Sequence, residues 1–216
     1  MTVAASPARS TAWTLKRAHR VNAMVLGAFI APHLLNHLVM LIGIDAHIAV
    51  MDAMRAVYRQ PAVEIALLGL VVAQLGLGAA LAYRRWRPRG FWGWAQVASG
   101  TYLFLFLAQH VGAIVRARLA FPDLDTNFYF AASVASVPPF SYYFVPYYFF
   151  GVLALFTHVG CAVRFHRWRS EPHRRAGIGL IATGALAGIV ITSGLVGLIE
   201  PFDLPQPHQD YLVDGY

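Results

Sequence analysis

Four of the nine histidines lie inside long apolar stretches, where a polar side chain is costly and therefore a candidate for function. His33 and His37 are four residues apart on one face of a predicted helix, and His110 and His158 lie in two later stretches. Two neutral imidazoles that face each other at one depth of a helical bundle are suited to ligate a six-coordinate b-type haem. Zinc is disfavoured because it would need three or four ligands at one point. The alternative is that each histidine is satisfied by a carbonyl or hydroxyl group of a neighbouring helix.

Depth separates these histidines into two groups. With a rise of about 1.5 Å per residue, His33 lies about 18 Å and His37 about 24 Å from the start of the first stretch. His110 lies about 24 Å along the third stretch, which runs in the same direction as the first. His158 lies in the fourth stretch, which runs in the opposite direction, and falls in the inner half of the membrane. We expect His110 to pair with His33 or His37. The other five histidines are predicted to lie near the surface, namely His19, His47, His166, His173 and His208.

Composition places these histidines in a membrane. Of the 216 residues, 58% are hydrophobic and 12% charged, and the mean hydropathy is +0.54, which excludes a disordered chain and disfavours a soluble domain. Five apolar stretches are long enough to cross about 30 Å of hydrocarbon. We therefore predict an all-α integral membrane protein with a bundle of five transmembrane helices. The predicted spans are Val21–Gly43, Ala62–Tyr83, Trp92–Val115, Tyr143–Val163 and Ile178–Ile199.

The charges predict a direction for the bundle. The net charge is +7, but the basic residues lie between the apolar stretches, so we expect lipid and no nucleic acid as a partner. Arginines concentrate in the loops Arg84–Arg89 and Arg164–Arg175, whereas the tail after the fifth span has acidic residues and no Lys or Arg. The positive-inside rule then predicts the N-terminus inside and the C-terminus outside. Residues 1–20 form an inner segment, 21–199 the membrane domain and 200–216 an acidic outward tail.

The outward loops carry two further patterns. In Asp45–Tyr58, apolar residues recur every third position, which predicts a short helix lying on the membrane surface. The loop from Phe128 to Tyr148 is rich in Phe and Tyr, as in the aromatic belt at a membrane interface, with a quinone contact as the alternative. The single cysteine, Cys161, excludes covalently attached haem of the CxxCH type, so any haem is held by noncovalent ligation.

Five short motifs follow one another along the chain between Lys16 and Ile199. They are KRAHR before the first span, PHLLNH at Pro32–His37, AVEIALL at Ala62–Leu68, QHV at Gln109–Val111 followed by DTNF, and THVG at Thr157–Gly160. In order and spacing they resemble the five-helix cytochrome b membrane-anchor subunit of succinate dehydrogenase and fumarate reductase, of the one-chain type found in bacilli. The resemblance implies a multi-pass protein of the bacterial cytoplasmic membrane.

Carried over by position, the resemblance implies that His33 and His110 ligate the iron of an outer haem and that His158 is one ligand of an inner haem. The two histidines of HLLNH are one residue closer together than in the family's usual form of this motif, which leaves His37 as an alternative to His33. In the second span, Gln74 stands where the family has the other inner ligand, and glutamine is no strong ligand of haem iron. We therefore expect one haem b. The inner space is then expected to be filled by bulky side chains, the candidates being Phe104, Phe149, Phe150 and Phe156.

The function implied by this resemblance is electron transfer between a membrane quinone and a flavoprotein with an iron–sulfur subunit, docked at the inner face. The chain has no flavin fingerprint and no cysteine set for iron–sulfur clusters, so at most it is a non-catalytic chain of a quinone oxidoreductase. Glu64 at the outer mouth of the second span is a candidate proton acceptor for quinol oxidation, or simply a helix cap. The alternative is a non-catalytic membrane paralogue that has lost one or both haems, as Gln74 suggests. A transporter is disfavoured because the sequence shows no inverted repeat.

Overall fold

The computed structural model describes residues 7–84, 87–165 and 170–215, with side chains from Thr14 onward. Within these ranges every regular element is an α-helix. Five of the helices are long and apolar enough to cross a membrane, which confirms a multi-pass helical membrane protein. In chain order the helices are α1 (Pro7–Val39), α2 (Ile44–Tyr58), α3 (Pro61–Arg84), α4 (Gly90–Ala120), α5 (Phe128–Ser136), α6 (Ser141–Arg164), α7 (Glu171–Leu195) and α8 (Gln206–Asp214).

All five predicted spans exist, but the first and the last are shifted toward the start of the chain. The first candidate span begins at Thr14 instead of Val21 and ends at Val39. The fifth span, α7, ends at Leu195 because Gly197 takes a left-handed conformation with φ of 79°. The backbone N–H of Leu198 then donates back to the Ser193 carbonyl over 2.9 Å, which closes the helix end.

The spans pack as antiparallel neighbours. Helix α6 lies against both α7 and α4, and α1 lies against α3. The α6–α7 crossing brings backbone onto backbone, since a Cβ atom added at Gly160 would lie 2.8 Å from the Gly177 carbonyl oxygen. In lipid no hydrophobic effect drives helices together, so close packing of small residues at such a crossing stabilises the contact.

Three short helices cover one end of the bundle, and we call this the cap end, formed by α2, α5 and α8. The surface helix predicted over Asp45–Tyr58 is confirmed as α2. The aromatic-belt prediction is wrong for Phe128 and Phe130, which are buried among α2, α7 and α8. The acidic tail also folds back as α8, where Tyr211 packs on Phe121 and Phe130.

The opposite end, which we call the arginine end, carries the start of α1 and both arginine-rich connections. Arg85, His166, Arg167 and Arg169 lie outside the described residues. Alternation of the spans puts these connections together, in agreement with the predicted grouping of positive charge. Which end faces the cytoplasm stays a prediction.

The bundle divides into two groups of spans. Helices α4, α6 and α7 pack as one group and α1 with α3 as another. The two groups meet through smaller contacts of α3 with α4 and of α1 with α7, and through the main hydrophobic cluster at the cap end, which includes Met40 and Leu195. Over the described residues, no Cα atom of α1 comes within 8 Å of one in α4 or α6. The histidines of α1 therefore approach those of α4 and α6 through their side chains alone.

Candidate functional site

The structure brings His33 of α1 and His110 of α4 together near the cap end. Their ring centroids are 6.2 Å apart, with an angle of 63° between the planes. Each ring stacks on a phenylalanine one helical turn earlier, His33 on Phe29 at 5.6 Å and His110 on Phe106 at 5.3 Å. These stacking contacts fix where the imidazoles point. The prediction from depth that His110 faces the first span is confirmed.

The chemistry of this pair suits haem b. Over the described residues, no Cα atom of α1 lies within 8 Å of one in α4, so the two helices meet here through side chains. Two imidazoles that face each other from neighbouring helices are the donor set that a six-coordinate b-type haem uses. The residues of this pair therefore fit haem b.

His37 lies on the far side of His33 and contacts a histidine of the cap. Its ring centroid is 5.3 Å from that of His47, whose Nδ1–H donates to the Asn36 carbonyl over 2.7 Å. In the described part of the chain, buried Nδ1 of His37 has no hydrogen-bond partner. Of the two candidates on α1, the structure thus sets His33 opposite His110 and sets His37 between His33 and His47.

His158 of α6 lies apart from this cluster, as its depth predicted, and is held on α4. Its Nδ1 is 3.2 Å from the Ser99 hydroxyl, which itself donates to the Gln96 carbonyl over 3.3 Å. The Ser99 hydroxyl thus lies between Nδ1 of His158 and the Gln96 carbonyl and holds the imidazole against α4.

The prediction that His19, His47 and His208 lie near the surface is wrong, since His47 and His208 are buried under the cap helices. His19 is half-buried on α1, and its ring centroid lies 6.3 Å from that of His158. Its Nε2 is 3.0 Å from the side-chain amide nitrogen of Gln74. The sequence contained a signal for this position: His19 precedes His33 by 14 residues, close to four helical turns, so both lie on one face of α1.

The four phenylalanines proposed to fill the inner space lie elsewhere. Phe149 and Phe156 pack on glycines of α7, namely Gly188 and Gly184. Phe150 contacts Tyr102 edge to face, and Phe104 is exposed at the bundle surface. None of these contacts is with His158, so this expectation is not supported.

Glu64, the candidate proton acceptor, is paired with Arg118 of α4. Both guanidinium NH2 groups of Arg118 donate to the Glu64 carboxylate, one of them over 3.4 Å. Arg118 also lines a cavity of about 330 Å³ at the cap end, together with Arg59, Asp125 and Thr126. Arg59 donates to the Thr126 hydroxyl over 2.9 Å in its wall. The carboxylate thus stands at the edge of a polar cavity, on the same half of the bundle as His33 and His110.

Buried polar contacts hold the cap on the spans. Arg55 of α2 is buried and pairs with Asp125 at 2.9 Å and with Asp52 at 3.1 Å. His208 of α8 donates from Nε2 to the Asp125 carbonyl over 2.9 Å. Burial lowers the pKa of His208, against the raising effect of Asp125. Burial likewise lowers the pKa of His47, so both rings of the cap are held neutral.

Within residues 7–84, 87–165 and 170–215, no three His, Cys, Asp or Glu side chains converge as a metal-ligand group. The imidazoles approach one another in pairs instead. Comparison of the chain with protein-family models, with curated proteins and with solved structures finds no match. The resemblance to the cytochrome b anchor subunit therefore stays a prediction.

Proposed function

We propose that this protein is a haem b-binding membrane subunit that passes electrons between a membrane quinone and a redox partner at the arginine end. The observation that carries the proposal is the His33–His110 pair, whose ring centroids lie 6.2 Å apart between two helices. His33 and His110 would hold the iron, and Phe29 and Phe106 orient their rings. Haem b, when bound, supplies reversible one-electron transfer.

Quinol oxidation also requires a proton acceptor, and the cap end offers one. Glu64 pairs with Arg118, which lines a polar cavity, so its carboxylate is placed to take a proton from a quinol hydroxyl there. Arg59 and Thr126 on the cavity wall offer groups that can hydrogen-bond a quinone oxygen. The electrons of the quinol would therefore pass toward the His33–His110 pair, and its protons to Glu64.

The partner is proposed from the charge at the other end. The arginine end carries Arg84, Arg87 and Arg164 among the described residues, and the succinate dehydrogenase and fumarate reductase resemblance implies a flavoprotein with an iron–sulfur subunit. The positive-inside rule makes this the cytoplasmic face of a bacterial membrane, with the N-terminus inside and the C-terminus outside. Arginines at a headgroup surface serve lipid binding equally well, so docking is tested separately, by co-purification.

The function is tested by reduction with a quinol. Purified protein is reconstituted in liposomes, a short-chain quinol is added, and the reduced haem b band is followed over time. We expect the wild type to be reduced and Glu64→Gln to be reduced at least tenfold more slowly, in line with loss of a general base. Glu171→Gln is the matched control, since Glu171 pairs with Arg174 at the arginine end. A wild type without a haem b band would overturn the proposal and favour the non-catalytic paralogue.

A further inference from the structure

A buried tyrosine of α6 packs against the turn of α4 that carries His110. The ring of Tyr147 stacks on that of Phe106, with the ring centroids 4.7 Å apart and an angle of 30° between the planes. Phe106 in turn stacks on His110 at 5.3 Å, with an angle of 10°. Three rings from two helices therefore form one stack that ends at the His110 imidazole.

The Tyr147 hydroxyl binds the backbone of the same turn. It donates to the Phe106 carbonyl over 3.1 Å. In a continuous α-helix this carbonyl also accepts the backbone N–H of the residue four positions later, which here is His110. The hydroxyl and the His110 backbone thus share one acceptor. Tyr147 therefore contacts both the ring beside His110 and the backbone that holds it.

A glycine of α6 leaves the space that Phe106 occupies. A Cβ atom added at Gly151 would lie 2.6 Å from Cδ2 of Phe106, whereas carbon atoms in ordinary contact stand about 3.5–4.0 Å apart. Gly151 follows Tyr147 by about one helical turn, so the two residues lie on one face of α6. Phe106 therefore packs directly on the α6 backbone beside the Tyr147 ring, and little room is left for it to turn.

A second tyrosine makes a hydrogen bond of the same length in the opposite direction. Tyr102 of α4 donates to the Tyr147 carbonyl of α6 over 3.1 Å. Tyr102 precedes His110 by eight residues, so this bond joins the same two helices without touching the turn that carries the histidine. The two bonds are therefore alike in holding α4 to α6 and differ in their contact with the His110 turn.

We propose that Tyr147 is a positioning residue for haem binding, which sets the orientation of the His110 imidazole toward His33 through Phe106. Groups that lie behind a metal-ligating histidine fix the orientation of its ring and tune the metal. This role rests on the proposed function for the identity of the bound group, although α6 carries neither of the two proposed ligands.

The test is the low-spin ferric haem signal of purified full-length protein in electron paramagnetic resonance. Its largest g value depends on the angle between the planes of the two imidazole ligands, which is 63° between His33 and His110 in the structure. We expect Tyr147→Phe to shift this g value and to raise the haem dissociation constant about 2- to 10-fold, as for the loss of one hydrogen bond. Tyr147→Leu also removes the stacked ring and should shift the g value further.

The matched control is Tyr102→Phe, which removes the other hydrogen bond between α4 and α6. We expect it to lower the unfolding temperature about as much as Tyr147→Phe does, but to keep the g value and the haem dissociation constant of the wild type. Equal spectral shifts in Tyr102→Phe and Tyr147→Phe would show that both bonds only hold the helices together, which would overturn the positioning role.

Two further outcomes separate this role from the proposed function. A wild-type signal that stays unshifted in both Tyr147 variants would overturn the positioning role and leave the proposed function standing. A wild type that binds no haem would overturn both.

Discussion

The substitution Gly100→Ala tests how tightly His158 packs against α4. The added Cβ atom would lie 3.0 Å from Cε1 and 3.3 Å from Nδ1 of His158, whereas carbon atoms in ordinary contact stand about 3.5–4.0 Å apart. The ring must therefore move by roughly 0.5–1 Å. Its hydrogen bond to Ser99 is already 3.2 Å long, so such a shift away from α4 breaks it.

The expected cost is the loss of this hydrogen bond, about 0.5–1.5 kcal/mol. Alanine in place of glycine favours a helix by about 0.5–1 kcal/mol, so the two effects nearly cancel and the free energy of unfolding should stay close to that of the wild type. Unfolding in detergent, followed by circular dichroism, measures this free energy.

The control for this substitution is Gly112→Ala on the same helix. A Cβ atom at Gly112 has no neighbour within 4 Å, so this variant gains the same helix preference without touching a histidine. We expect this variant to be about 0.5–1 kcal/mol more stable than the wild type. Equal stabilities of Gly100→Ala and Gly112→Ala would refute the reasoning, because the His158 ring would then be displaced at no cost.

Three further predictions concern packing, the ion pair and pH. Gly177→Leu should strongly lower the unfolding temperature in detergent, because even a Cβ atom there would lie 2.9 Å from a carbonyl oxygen of α6. An unchanged unfolding temperature would contradict the close crossing of α6 and α7. Arg118→Ala should cost under about 1 kcal/mol of stability, since its pair with Glu64 is partly exposed, yet slow quinol oxidation in the liposome assay. Burial lowers the pKa of His208 in the folded protein below its ordinary value of 6.5. As the pH falls below 6.5, the unfolded chain therefore binds a proton at His208 that the folded protein does not, and the free energy of unfolding decreases. His208→Gln should reduce this loss of stability in melts between pH 7.5 and 5.5, and an identical pH dependence would exclude a contribution from His208.

Much of the fold follows from hydropathy and periodicity. The five spans are predicted by apolar length, and α2 by the three-residue steps from Ile48 to Val57. The pairing of His110 with the first span follows from the rise per residue alone, without knowledge of packing. These features are predictable because the bilayer imposes one length and one direction on each helix.

Contacts between distant segments could not be predicted in this way. The start of α1 is polar in sequence and predicts His19 at the surface, although the helix includes His19 and its ring contacts the Gln74 side chain of α3. The tail has acidic residues and low hydropathy, but Tyr211 and His208 bury themselves against loops that no local pattern connects to them. The phenylalanines of α6 could not be assigned to a face until Gly184 and Gly188 of α7 were seen beneath them. Each case depends on which helix lies next to which, and that information is tertiary.

The central claim is that His33 and His110 are the two ligands of one haem iron. The most direct measurement is the low-spin ferric haem signal in electron paramagnetic resonance of purified wild type, His33→Ala, His37→Ala and His110→Ala. We predict that His33→Ala and His110→Ala lose the same low-spin signal and that His37→Ala keeps it, because His37 faces His47. Loss of that signal in His37→Ala with retention in His33→Ala, or a wild type without any low-spin haem signal, would contradict the account.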